Sequence, residues 1–265
     1  MSSVAQSHRF DYILETLRSQ GNVTVRDLAA HFGVAEMTLR RDLDALAEAG
    51  RVQRVHGGAI PVEPNDPGFR VRSAGDQPAK QTIATLAAGL LQSGQAVYLD
   101  SGSTADAVAA AIARRVRGES LELRLATHAL NVALQLAEIP GISLTMLGGE
   151  ISPTTLAAQG RTALQQLEPL SFDLFFMGAS GVDAQAGWTN ANPATIELKQ
   201  AVHSQASRTC ALVDSAKWGV KAFHRILPLD AVQIWLGDKP LPAQLVQATE
   251  QAGVHYRYKA SAEQD

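Results

Sequence analysis

Hydrophobic positions in the first fifty residues recur at spacings of three and four, the repeat of one helix face. Phe10, Ile13, Leu14 and Leu17 predict a helix over 8–20, ended by Gly21. Thr24, whose hydroxyl suits a helix N-cap, opens a short helix over Val25 to Phe32. Gly33, tolerant of the left-handed conformation, closes it. After a tight turn at Gly33-Val34 the pattern predicts a third helix, the second of the helix-turn-helix pair, from Glu36 to Ala49, stopped by Gly50, with Leu39, Leu43 and Leu46 turned to the core. Arg51 to Ile60 then runs out and back as a β-ribbon turning at Gly57-Gly58. Three helices and a ribbon make a winged helix-turn-helix, a device for gripping DNA.

From Pro61 to Pro78 the periodicity stops. PVEPNDPGFRVRSAGDQP holds four of the eleven prolines and reads as a linker. Ile83, Leu86, Ala87, Leu90 and Leu91 restore helical spacing over Ala79 to Gln92. Beyond Gly94, short apolar runs alternate with helical stretches. Strands are predicted at 96–99, 123–126, 143–147, 174–177, 209–213 and 232–236, with a last one at 254–258, and helices at 105–115, 130–137, 194–205 and 242–251. Apolar strands alternating with helices imply a mainly parallel sheet covered on both faces. The predicted class is thus α/β: a winged helix-turn-helix over 1–60, a linker over 61–78 and an α/β domain over 79–259.

Composition narrows the chemistry. A chain of 265 residues, 46% hydrophobic, is long enough for one small and one medium core. A net charge of -3 gives no basic field, and residues 1–62 hold seven Arg against seven Asp plus Glu. Attraction to DNA must come from local placement of Arg40, Arg41, Arg51, Arg54 and His56, and an oligomer presenting several copies is expected. The single cysteine, Cys210, lies in TCALV and reads as an inert core thiol. No Cys or His cluster has metal-ligand spacing, so neither metal nor cofactor is expected. The N-terminus lacks a signal-peptide pattern and no apolar run approaches the roughly 20 residues of a membrane span; a cytoplasmic protein away from membranes is expected.

The exposed face and first turn of the third helix carry Glu36, Met37, Thr38, Arg40 and Arg41, the positions that would enter a major groove. The arginine fork matches a guanine edge or a phosphate, and Thr38 suits a phosphate oxygen or a thymine methyl. The competing account is an ordinary surface helix, with Arg40 paired to Glu36 and Arg41 to Asp44. Arg54 and His56 are placed in the wing to touch phosphates or a minor groove, against the alternative of a hairpin with incidental charge.

In the C-terminal domain each predicted strand ends in a loop of small and polar residues: Asp100-Ser101-Gly102-Ser103-Thr104, Thr127-His128, Gly148-Gly149, Gly178 to Gly181, and Asp214 to Lys217. A parallel sheet gathers these loops at its carboxyl edge, where α/β proteins bind ligands. The first is suited to an anion, because Gly102 allows close approach and the helix beginning near Ala105 points free N–H groups at the turn. An ordinary helix start uses the same residue types.

TLRRDLDALAEAG followed by VQRVHGGA resembles the DeoR family of bacterial repressors, and DSGST, ATHALN, LGGE, GASGVD, Glu197-Leu198-Lys199 and DSAKWG extend the resemblance over nearly the whole chain. The resemblance implies a sensor domain similar to ribose-5-phosphate isomerase that binds a phosphorylated sugar. Asp100, Ser101, Gly102, Ser103 and Thr104 would surround the phosphate, with Lys199 and Lys217 as charge partners. Thr127, His128, Gly148, Gly149, Glu197 and Asp214 complete the expected effector site. Operator DNA would be met by Thr24, Glu36, Met37, Thr38, Arg40, Arg41, Arg54 and His56. Three positions depart from the family's habit: Ala35 replaces a usual Ser, His128 an Asn, and Ser215 a frequent His. The implied function is a homo-oligomeric repressor, dimer or tetramer, of a carbohydrate catabolic operon, released by a phosphosugar and not an enzyme. The alternative is a sugar-phosphate isomerase with an added DNA-binding module, whose base would come from Asp100, Asp183, Glu197 or Asp214. No spacing singles one out.

Overall fold

A computed structural model of the chain describes residues 2–20, 23–49, 51–55, 57–61 and 68–259. Three expectations fall outside them: the helix stops at Gly21 and Gly50, and the wing contact of His56. The chain divides into two compact units, Met1–Val71 and Arg72–Asp265.

The first unit holds helices α1 (Ser2–Gln20), α2 (Val25–Phe32) and α3 (Glu36–Glu48) and a three-stranded antiparallel sheet of β1 (Val23–Thr24), β2 (Val52–Val55) and β3 (Gly58–Pro61), in the order β1-β3-β2. Ile13, Leu17, Leu28, Leu39, Leu43 and Leu46 pack with Val23, Val25, Val52 and Ala59 as one core. The Thr24 hydroxyl accepts from the Asp27 amide at 3.1 Å, and Gly33 takes a left-handed φ of 64°. Ala35 occupies the N-cap of α3 with no side-chain bond; only its carbonyl serves, accepting from Thr38 N at 2.9 Å. Gly58 is required by contact, since a Cβ there would lie 2.0 Å from the Val23 carbonyl oxygen. Pro61 still pairs with Val52, and a helix α4 (Gly68–Ala74) stands inside the stretch that the prolines mark as linker. Seven residues without a clear apolar stripe left no pattern to find.

In the second unit α5 (Gln77–Gly89) leads into β4 (Ala96–Leu99), α6 (Ser103–Gly118), β5 (Leu123–Thr127), α7 (Leu130–Leu136) and β6 (Ile142–Met146). A hairpin of β7 (Glu150–Ser152) and β8 (Ala157–Gln159), then α8 (Arg161–Leu167), lead to β9 (Leu174–Gly178), β10 (Gly181–Asp183), β11 (Gly187–Asn190) and α9 (Ile196–Ser204). The chain ends through β12 (Thr209–Leu212), β13 (His224–Leu227), β14 (Ile234–Leu236), α10 (Ala243–Ala252) and β15 (His255–Arg257). Seven strands form one sheet in the order β15-β14-β12-β9-β4-β5-β6, every neighbouring pair parallel. Alternation along the strands divides the core. Val97, Leu99, Leu174, Phe176, Cys210 and Leu212 face one layer with α5, α6 and α7, whereas Tyr98, Phe175, Met177, Ala211 and Trp235 face the other. From β4 the chain winds outward through β5 and β6, then restarts at β9 on the other side of β4. The order therefore reverses between β4 and β9, which opens a crevice at their carboxyl ends.

Candidate functional site

The α3 surface presents Met37 at 60% exposure, with Arg40 and Arg41 exposed beside it. Arg40 Nη2 reaches Glu36 at 3.4 Å, an exposed pair worth little. Arg41 has no carboxylate partner among the described residues. Asp44, its expected alternative partner, is instead bonded to Arg54 Nε at 2.8 Å, and the same guanidinium donates to the Gly58 carbonyl. Arg54 is thereby a brace between α3 and the wing, a role its position in the sequence did not suggest. Thr24 caps α2 as expected, and its hydroxyl also donates to Asp27 Oδ2 at 2.7 Å. A further brace went unseen: buried Asp42 accepts from Arg9 Nε at 2.6 Å and Gln6 Nε2 at 3.0 Å, fastening α1 to α3.

At the sheet crevice the structure gathers groups from β4, β5, β9 and α9 around the Asp100 carboxylate, which is fully buried. Its Oδ2 accepts from Gly178 N at 2.8 Å and from Lys199 Nζ, while Oδ1 accepts from Ser101 N at 2.8 Å. Lys199, also buried, donates to the Gly178 carbonyl at 3.0 Å. Its charge is matched inside the protein, so Lys199 serves Asp100 first. His128 Nδ1 lies 2.8 Å from the hydroxyl of buried Tyr98, and its Nε2 lies 3.8 Å from Asp100 Oδ1. Burial pulls the imidazole pKa down to about 4, with Asp100 opposing the shift and Lys199 adding to it. His128 is neutral near pH 7. Burial, and then the Asp100 charge, hold Tyr98 protonated.

Gly102, at φ 106°, starts α6 with no side chain capping it, and Ser103 and Thr104 follow in the first turn. Asp214 and Lys217, after β12, pair at 3.2 Å; Ser215 donates through N and Oγ to Asp238 at 2.6 and 2.8 Å. Thr127 is buried, with its hydroxyl accepting from Ala129 N at 3.1 Å. Gly148 N donates to Gln166 at 2.7 Å, and a Cβ on Gly149 would stand 2.6 Å from the Gln159 carbonyl oxygen, so this turn is built against its own hairpin. Glu197 is exposed on α9. Trp188 packs in the core against Trp235, with ring centroids 5.1 Å apart. Cys210 is buried, which pushes its thiol pKa up and leaves it inert.

Sequence reasoning missed Tyr98 and Lys80 as parts of this region, and it named Gly178 only within a crevice loop, not as a partner of Asp100. Lys80 is buried and donates to the carbonyls of Arg72 and Gly75. Burial lowers its pKa, Asp214 opposes this and Lys217 adds to it. A cavity of about 870 Å³ opens at the opposite, amino end of the sheet, beside Ala96, Arg124, Ser143, Thr145 and Asp173. It brings no buried charged group together.

Two family models match the chain. The DeoR-like helix-turn-helix domain covers residues 9–65 and the DeoR C terminal sensor domain covers 76–239. A protein of Escherichia coli O157:H7 assigned as an aga operon transcriptional repressor is 31% identical, over 94% of this chain and 92% of its own. The glycerol-3-phosphate regulon repressor of Escherichia coli K12 is 28% identical, over 91% of this chain and 94% of its own. Among solved structures, ribose 5-phosphate isomerase A of Methanocaldococcus jannaschii aligns over 52% of this chain and 53% of its own, at a TM-score of 0.40 and 20% identity.

Proposed function

The chain belongs to the DeoR family of transcriptional regulators, and on that premise we propose that it represses a carbohydrate catabolic operon and is released from its operator by a phosphorylated sugar. The observation that carries the reading is one chain joining a winged helix-turn-helix, with Arg40 and Arg41 exposed on its second long helix, to a sheet whose switch point meets the uncapped start of α6. That helix start offers free N–H groups to a phosphate, and Lys217 on the loop after β12 adds a cation. Relatives named for the aga operon and the glycerol-3-phosphate regulon support sugar-linked control. Binding without turnover is supported by the state of the carboxylates. Asp100 is bonded to Lys199 and two amides, Asp214 is paired with Lys217, and Asp183 closes a turn by accepting from Gln185 N and Ala186 N at 2.9 Å. We further propose a homo-oligomer, which places two α3 helices on half-sites of one operator. The described residues contain no helix long and apolar enough to cross a membrane.

Gel shifts on the chain's own upstream DNA, with and without a series of sugar phosphates, test the reading. Release by a phosphorylated sugar and not by its unphosphorylated form is expected, and Ser103→Ala with Lys217→Ala abolishes release while leaving DNA binding intact. Release that needs no phosphate sinks the anion site; rapid isomerisation of the bound compound favours the enzyme alternative.

A further inference from the structure

We propose that His128 and Asp100 together read one hydroxyl group of the bound effector, an inference that rests on the sensor reading above. Two unused bonding positions face each other in this site. Nε2 of His128 is buried and has no hydrogen-bond partner among the described residues. Asp100 Oδ2 accepts twice, from Gly178 N and Lys199 Nζ, but Oδ1 accepts only from Ser101 N, which leaves it room for one more bond. The two atoms stand 3.8 Å apart, too far to bond directly.

Tyr98 settles which of the two donates. Its hydroxyl is buried beside His128 Nδ1, and a buried phenol O–H satisfies itself by donating there. Nδ1 is then the acceptor and Nε2 carries the proton. The other tautomer would leave the phenol proton without an acceptor and aim a bare nitrogen lone pair at the Asp100 carboxylate.

The group that fits must accept from an N–H and donate to a carboxylate. A hydroxyl does both. A carbonyl oxygen or a fully ionised phosphate oxygen cannot donate, and an ammonium cannot accept. An oxygen about 2.8 Å from each atom sees them at an angle near 90°, within the reach of a hydroxyl. Ser101, Gly102 and Gly178, next to Asp100 in chain or by bonding, are partly exposed, so the pair lies just behind the crevice surface. The uncapped α6 turn would take the phosphate and His128 with Asp100 one hydroxyl, which makes His128 a specificity residue and Tyr98 its positioning residue.

The test uses the full-length protein labelled with 15N-histidine, titrated with polyol, aldose and ketose phosphates of three to six carbons. For whichever compound binds, its monodeoxy analogues are measured by calorimetry. Removing one particular hydroxyl is expected to weaken binding about ten- to a hundredfold in the wild type, because Nε2 and Oδ1 are left unpaired. In His128→Leu the dependence on that hydroxyl falls, since only Asp100 Oδ1 remains to accept from it, while His128→Asn, which keeps a donor, retains more of the preference. Tyr98→Phe shrinks the preference and leaves the dependence on phosphate unchanged. The His128 ring nitrogen signals of the wild type shift on binding, a readout that needs no variant to fold. Unmoved ring signals at saturation, or equal hydroxyl dependence in wild type and His128→Leu, overturn the proposal while leaving the sensor reading standing. Failure of every phosphorylated compound to bind overturns both.

Discussion

A single residue can be legible by type and illegible by role. Arg41 and Arg54 are both arginines on the predicted DNA face, yet Arg41 is exposed without a carboxylate partner among the described residues and Arg54 is tied to Asp44 and the Gly58 carbonyl. Arg41→Ala is therefore expected to cost about 1–3 kcal/mol of operator binding with little effect on unrelated DNA. Arg54→Ala, which loosens the wing and removes a cation, is expected to weaken all DNA alike and flatten the salt dependence. Gel shifts at two salt concentrations separate the two, and equal losses on operator and unrelated DNA for Arg41→Ala would remove it from base reading. His128 was placed in the crevice by its loop; its partner Tyr98, thirty residues earlier on the strand next door, was hidden because pairing across a sheet leaves no local pattern. Its pKa is depressed in the fold, from the ordinary 6.5 to about 4. Between those values the unfolded chain binds the extra proton and the fold does not, so stability falls as pH falls through that window, by about 3 kcal/mol at its end. Melting curves from pH 7 to 4.5 should show the wild type losing more stability than His128→Asn. Parallel losses would mean that His128 does not titrate in this way.

At the scale of elements, legibility followed the continuity of the apolar pattern. α2, α3, α5 and α6 carry apolar stripes over two or more turns and were found, as were the β4, β5 and β9 strands buried on both faces. The β7–β8 hairpin, β10, β11 and β13 have strands no shorter than β14, but polar residues such as Glu150, Ser152, Gln159, Asp183, Asn190 and Arg225 break up their apolar positions, so no apolar run marks them. The α3 start is where sequence and structure agree on a weakness, because Ala35 has extended φ and ψ of -62° and 142° but no side chain to cap the turn. Ala35→Ser is expected to stabilise the helix by about 1 kcal/mol. Slower hydrogen exchange of the first-turn amides of α3 in the full-length protein would show it, and unchanged exchange would mean that the Ala35 carbonyl turn suffices. The Asp42 brace makes the opposite case. Arg9→Met leaves a buried carboxylate without its cation and should cost about 3–5 kcal/mol, seen as faster exchange at Leu43 and Leu46. Adding Asp42→Leu should recover most of it, since an apolar pair replaces the charges.

The whole molecule inherits its logic from the order in which strands are laid down. The run of apolar segments predicted a parallel sheet, and the reversal between β4 and β9 puts DSGST, from one side, against Gly178, from the other. What no local signal could give was that Asp100 and Lys199, ninety-nine residues apart, would neutralise each other, because only the fold brings α9 under β4. If that region binds an effector that loosens DNA, the coupling is a free energy shared by both ligands. It cannot act in one direction only. Typical couplings of about 1–3 kcal/mol correspond to five- to 150-fold changes, so saturating operator DNA should weaken effector binding by the factor by which effector weakens DNA. Calorimetry of the effector against free protein and against the operator complex measures one side, and gel shifts with and without effector the other. Ser103→Ala with Lys217→Ala, which abolishes release, should weaken effector binding to both states beyond the concentrations that release the wild type. Unequal factors on the two sides in the wild type would mean that the effector competes for a third state, such as a different oligomer, and the two-state account of release would have to be replaced.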